Sequence, residues 1–494
     1  MPPRNSTKSK VQGQPILPVS TKDKIAGVWP SILFQILKKH TLPNVAMIGC
    51  FRYGIDLRTT VVILLNASDE QKKCVDFNLE EIRKLLDRHG LQHVAVAGEN
   101  GIVSLGNGEA HSIGDLDHQI LRDPAAIIGQ SLAHKSNKNA AGTLGGFVEL
   151  KIQGSWVTMA LTCSHVVCSA DLSQEMVDYW KRRSMEPRGG KSADEVLLRW
   201  NDYGVSPNDE NRFMLEITHP APAALTKAKK SMAAELEVLM AMDNLQDLLD
   251  KDERGEGDFL PRGERQTLKR GKYLFEHLKK CKEFIAKDGG NFGIVWAASG
   301  LNAEHKSTRG FEWVDHNGTH IEKLTLKSSI DWALIIPPDY RIPEVPTPYP
   351  RYHDISRRSL FPQDLGGTEV CMEGQRNQFS TGVIHSLVTA SNFEAFESRL
   401  KVDLVKDVRT NLDWVVTGKV RTDDKGRKTW APFSQGGDSG SLVYTNTDPQ
   451  NRVLVGMVRG GTTPLPWWTY VIPIEFIYQD IMSRTGAEAI RLRV

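Results

Sequence analysis

Gln435-Gly-Gly-Asp-Ser-Gly-Ser-Leu-Val443 sets Ser439 among three glycines, directly after an acid and ahead of an apolar run. Glycine admits positive φ and close approach of another chain, so this stretch suits a hydroxyl held out on a tight turn. Successive amides on such a turn, here those of Gly437 and Ser439, can aim at one point and hold an oxyanion. Gly, Asp and Ser are also the commonest turn residues, and an ordinary polar turn would read the same way. The stretch gains meaning only with a base and an orienting acid elsewhere.

The base candidate is His165, in Ala160-Leu-Thr-Cys-Ser-His-Val-Val167 at the end of an apolar strand. Cys163 and Cys168 bracket it and raise a zinc reading. No second cysteine pair or nearby histidine follows, so the ligand count stays short of four and no metal is expected. The acid candidate is Asp331, in Ser328-Ser-Ile-Asp-Trp-Ala-Leu-Ile-Ile336, just before another apolar run. Alone, His165 reads as a core-edge histidine and Asp331 as a solvated strand end. Together their order is His165, Asp331, Ser439, with gaps of 331 − 165 = 166 and 439 − 331 = 108 residues. That order belongs to the double-barrel serine proteases, and not to subtilisins or α/β-hydrolases.

Over about residues 125–494 the chain resembles the trypsin/chymotrypsin-like serine proteases, in an intracellular, fungal-type form. Thr-Cys-Ser-His-Val-Val resembles the family's Thr-Ala-Ala-His motif, Asp-Trp-Ala-Leu-Ile its aspartate strand, and Gly-Gly-Asp-Ser-Gly-Ser-Leu-Val its Gly-Asp-Ser-Gly-Gly-Pro-Leu-Val motif. Glu373–Ile384 resembles a strand pair of the second barrel, and Val453–Val458 with Tyr470–Ile474 the strands that wall the substrate pocket. The resemblance implies two six-stranded antiparallel β-barrels and a serine endopeptidase with catalytic His165, Asp331 and Ser439. It implies an oxyanion hole at Gly437 and Ser439, no cofactor, and a pocket formed by Phe433, Val458 and Gly460. The residue six before the nucleophile lies at the pocket base; here it is Phe433, with no acid from Ala431 to Gly437, so cleavage after apolar residues is expected. Ser441 replaces the family's second glycine, and no cysteines match its disulfides. Activation by cleavage near residue 143 is not expected, because Leu144-Gly-Gly146 lies only 165 − 144 = 21 residues before the histidine. Local donors should satisfy Asp438 instead.

The rest of the chain falls outside the resemblance. Residues 1–25 read as a polar, disordered tail. Residues 26–120 read as a small α/β domain: apolar runs at Val45–Cys50, Thr60–Leu65 and Val94–Ala97 predict strands, and 78–89 a helix capped by Asn78 and stopped by Gly90. Within 206–289, apolar residues at steps of three or four over 223–250 and 265–287 predict an inserted helical hairpin. The expected fold is therefore mainly β, with that α/β domain and that insertion.

The chain has 494 residues, 40% apolar and 25% charged, a composition that excludes disordered and fibrous classes. Lys+Arg 62 less Asp+Glu 60 leaves +2, too balanced for a nucleic-acid or membrane binder. With no apolar leader, no 18-residue apolar run and six scattered cysteines, an intracellular, cytoplasmic setting is expected. The expected partner is a protein or peptide substrate, with a protein partner for the N-terminal domain and insertion. The rival expectation is an inactive protease-fold scaffold for protein–protein interaction; an esterase could use the same three residues.

Overall fold

The computed structural model describes residues 16–39, 45–54, 56–65, 72–105, 108–109, 125–168, 173–242, 244–286, 290–300, 303–306, 311–314, 320–324, 327–344, 365–376, 378–392, 410–422, 428–447, 452–463 and 468–493. Residues 1–15 of the expected tail lie outside them. The chain divides into two interleaved units, 1–106 with 301–331 and 350–486, and 107–300 with 332–349 and 487–494.

The first unit is built on a closed antiparallel ring of six strands. Gln378–Ile384, Glu369–Gly374, Leu442–Thr445, Leu454–Thr463, Trp468–Pro473 and Thr410–Thr422 pair in that order. Gly382↔Gly418 and Ile384↔Val416 shut the ring. Val370, Met372, Ile384, Val416, Val443, Val455, Val458 and Val471 fill it around Phe433. Inward-facing branched side chains suit a barrel this narrow.

Thr410–Thr422 also pairs with Thr389–Asn392, which pairs in turn with Val45–Tyr53. Val45–Tyr53 then pairs with Arg58–Leu65, and that strand runs parallel to Ala95–Asn100. The strands expected at 45–65 and 94–97 therefore exist, and through Thr389–Asn392 they continue the barrel strand Thr410–Thr422. Ile48, Cys50, Val61 and Ile63 pack under helices Lys24–Lys39 and Lys72–Arg88, and Met47, Phe51, Val62 and Leu64 pack on barrel residues Val415, Trp468 and Tyr470. A sheet covered on both faces explains the unbroken apolar runs. Trp29 Nε1 donates to Val388 O at 2.9 Å, Ser386 Oγ to Val19 O at 2.9 Å, and His385 Nε2 lies 2.7 Å from Cys50 O. The second helix begins at Lys72, not Asn78, and ends where Gly90 takes φ +67. Ile16–Leu17 pairs with Arg52 and Tyr53, so this part of the expected tail is ordered.

The second unit carries a nine-stranded sheet in the order Ala489–Leu492, Gly146–Ile152, Ser155–Thr162, Ala333–Ile336, Asn291–Ala298, Glu216–Thr218, Ser131–His134, Ala140–Thr143 and Gly108–Glu109. Its pairing runs open among the described residues, so one of the two expected barrels is present as a closed ring and the other is a second sheet. The hairpin at 152–155 turns with positive φ at Gln153 and Gly154, the twist-matched form for two-residue loops. Ala140–Thr143 and Gly146–Ile152 are separate strands, with Leu144 and Gly145 between them.

The insertion emerges between Glu216–Thr218 and Asn291–Ala298, which are themselves paired. Pro222–Met242 and Arg262–Ala286 are its long helices, with Leu245–Glu253 between them. Gly271 lets Leu245 approach so closely that a Cβ would sit 2.4 Å from its Cδ1. Ala223 and Ala224 pack the helix start against Ala133 and Ala141. Two further helices, Ser173–Arg182 and Ala193–Tyr203, were not expected; the second opens on a capping box, Ser192 with Glu195. No helix among the described residues is long and apolar enough to cross a membrane.

Candidate active site

Ser439 sits on the turn entering Leu442–Thr445, between Gly437 at φ +104 and Gly440 at φ +97. Only glycine adopts such backbone without strain, so the two residues fix the turn. Asp438 N donates to Gln435 O, Gly440 N to Val458 O and Ser441 N to Asp438 O. The buried Asp438 carboxylate accepts from Gln435 N at 2.9 Å and from Arg376 N at 2.8 Å. Gly374 makes room for it, since a Cβ there would lie 2.4 Å from Asp438 Oδ1. Local backbone donors thus hold this acid, as the sequence suggested. Ser439 is 0% exposed and its Oγ donates to Arg459 O at 2.9 Å.

His165 follows the Ser155–Thr162 strand in the short helix Ser164–Val167. Thr162 Oγ1 donates to Thr143 O at 2.9 Å, and Cys168 N to Ser164 O at 2.8 Å. Gly142 is required beside this helix, because a Cβ would lie 2.2 Å from Val166 Cγ2. Burial lifts the Cys168 thiol to about 12, so it stays protonated at neutral pH. Neither Cys163 nor Cys168 is in a disulfide.

Asp331 is the last residue of a first-unit segment and is joined to Trp332 of the second. Trp332 is clamped to Ser299: its amide donates to Ser299 Oγ at 3.0 Å and its carbonyl accepts from Ser299 N at 2.9 Å. The strand that follows pairs Ala333 with Thr162, so 331 and 163–165 flank one end of a single strand pair. Cys163, His165 and Asp331 there form a buried group whose donor atoms lie within 4.8 Å of one another. Thiolate, imidazole and carboxylate are zinc-type donors, yet three fall short of a closed four-ligand site. The imidazole and carboxylate of that group are also the base and acid that a serine nucleophile needs.

Sequence reasoning missed Arg459. It is 3% exposed, and its Nε lies 3.8 Å from Asp331 Oδ2. Its charge also acts on Asp413, whose carboxyl burial pushes up while Arg459 opposes the rise. Burial and Asp413 together raise the neighbouring Tyr470 phenol well above its ordinary range. The signal was a lone charge directly after the run Leu454–Val458. One residue of backbone therefore meets the serine with its carbonyl and the aspartate with its side chain.

Phe433 is 1% exposed and lies in the barrel core, its carbonyl accepting from Ser380 Oγ. Val458 packs in the same core, and Gly460 pairs with Tyr470 on one side and Leu105 on the other.

No family model matches the chain, and no curated protein does. Among solved structures, a glutamic-acid-specific serine protease that uses a histidine triad in substrate binding is similar over 37% of this chain and 80% of its own. The identity is 11% and the TM-score 0.19.

Proposed function

We propose that the chain is a serine-type hydrolase of peptide bonds. Ser439 attacks the carbonyl, and His165 takes its proton and returns it to the leaving amine. Asp331 fixes the imidazole tautomer, a contribution of about 10⁴ in turnover. The amides of Gly437 and Ser439 receive the oxyanion, at about 3 kcal/mol per donor. The observation that carries this reading is the Ser439 turn, with positive-φ glycines on both sides and Asp438 pinned by two amides. The buried imidazole–carboxylate group supports it from the other side of the chemistry. Ser439 must turn its hydroxyl from Arg459 O toward the base before it can react.

Phe433 and Val458 lie in the barrel core, so the selection rests on the loop ahead of the serine: no acid lies from Ala431 to Gly437, and an apolar residue is expected before the cut bond. A peptide library dominated by Lys or Arg at that position contradicts this choice. The N-terminal elements and the inserted helices would present the enzyme to a protein partner. A fluorophosphonate probe tests the nucleophile. Wild type should be labelled, and Ser439→Ala and His165→Ala should not; a well-folded but unlabelled wild type favours the scaffold alternative.

A further inference from the structure

The Leu454–Thr463 strand does more than line the barrel. Beyond Arg459, whose carbonyl holds the Ser439 hydroxyl, its residues Gly460, Gly461, Thr462 and Thr463 pair antiparallel with Leu105, Ser104, Val103 and Ile102. The register of Leu454–Thr463 on its other neighbour shifts between Val458 and Gly460, an irregularity of the kind that re-aims an edge beside an active centre. The added strand runs toward the serine: Leu105, its last residue, faces Gly460, next to Arg459. An extended peptide laid on this edge in the same direction would lead straight to the nucleophile.

We propose that the chain's own Ile102–Leu105, paired on the Gly460–Thr463 edge, acts there as an intramolecular competitor of extended peptide substrates. The inference rests on Ser439 being the nucleophile. Four observations favour the chain's own strand as occupant. The four pairs are formed in the structure itself. Ile102–Leu105 is tethered beside the edge, because Gly101 N donates to Leu65 O at 3.0 Å in the neighbouring sheet. Ser439 is 0% exposed, its hydroxyl on a backbone carbonyl, as in a site held closed. Ile-Val-Ser-Leu has no charge and no proline, the composition expected of an apolar substrate strand. Main-chain hydrogen bonds supply the affinity in strand addition, and a tether raises the local concentration to about the mM range. A competitor at that concentration with an affinity of about 0.1 mM would raise the apparent KM of an external peptide about tenfold.

The test uses the full chain and a fluorescein-labelled Gly-Ile-Val-Ser-Leu pentapeptide, read by anisotropy. Adjacent strand amides point to opposite sides, so Val103→Pro with Ser104→Pro must remove a donor facing the edge. The double variant should bind the pentapeptide about tenfold more tightly than wild type and show a correspondingly lower peptide KM at unchanged kcat. One of the two single prolines should reproduce this and the other should not. Replacing 102–105 by Gly-Ser-Gly-Ser gives the same comparison without proline. Equal pentapeptide binding by wild type and all variants overturns the inference. If the fluorophosphonate still labels Ser439 in that case, the nucleophile reading stands alone. Tighter pentapeptide binding with no labelling in any variant keeps the competitor and removes the nucleophile.

Discussion

Arg459 in the closed barrel and Arg341 in the nine-stranded unit are both buried, at 3% and 1% exposure, and each meets different chemistry. Arg459 is set between acids, 3.8 Å from Asp331 and acting on Asp413. Arg341 instead meets an imidazole and a ring: its Nη2 lies 2.9 Å from His219 Nδ1, and its guanidinium 5.6 Å over Phe292. A buried cation facing a carboxylate keeps that carboxylate ionised, whereas one facing a neutral imidazole keeps the imidazole neutral. The first arrangement offsets part of the cost of burying carboxylates, as at Asp413, where Arg459 opposes the rise that burial causes. The second ties together His219, Phe292 and the loop after Ala333–Ile336 without demanding charge from anyone.

The sharpest break in this comparison is Arg459→Leu. It leaves the Asp331 and Asp413 carboxylates buried without their cation and should cost about 3–5 kcal/mol, read as a fall in denaturant midpoint. Probe labelling should fall with it, and Arg459→Lys should recover stability more than labelling. Arg341→Met removes a charged donor from His219 and should cost about 1.5–3 kcal/mol. His219 is lowered to about 3, chiefly by burial and then by Arg341. A base with a depressed folded pKa gives stability that is full above its unfolded value, about 6.5, and is lost as pH falls toward 3. Without Arg341 that acid-side loss should shrink, which unfolding midpoints at pH 4 and 7 would show.

Glu373 has the opposite sign. Burial raises its carboxyl to about 7, against a lowering by Arg452. The folded state then holds a proton that the unfolded state releases, so stability falls as pH rises from about 4.5 to 7. Glu373→Gln should be neutral near pH 4 and stabilise by roughly 1–2 kcal/mol at pH 8, with partial exposure discounting the full shift. The smallest effect belongs to the insertion. Arg270 grips Glu235 at 2.6 and 2.8 Å, but both are well exposed. Arg270→Ala should cost no more than about 1 kcal/mol, and less in high salt.

Much of this was legible in sequence, for different reasons in different places. The Ser439 turn was legible because it needs glycines at fixed offsets, and the ends of the His165 and Asp331 segments because each borders an apolar strand. The 45–65 strands were legible because burial on both faces leaves continuous apolar runs. Their attachment to Thr389–Asn392 was not, since pairing across more than 300 residues leaves no local trace. The helices at 173–203 were readable from Ser192 and Glu195 and were overlooked beside the longer insertion. Arg459 stayed hidden because one charge in an apolar strand reads as an edge residue until its acids are found.

The pairing of Val45–Tyr53 with Thr389–Asn392 has a consequence for how the molecule is born. On the ribosome, the earlier strand emerges long before its partner exists. Closing a loop of that length adds little to the equilibrium penalty, because the entropy grows only with its logarithm. It slows folding far more, since non-local pairs must wait for a long search. Through that interval the apolar face of 45–65 that later meets Val415, Trp468 and Tyr470 is bare. The nascent chain therefore needs something to cover that face, and chaperone capture of a ribosome-stalled chain ending near residue 380 is where this dependence would first be seen.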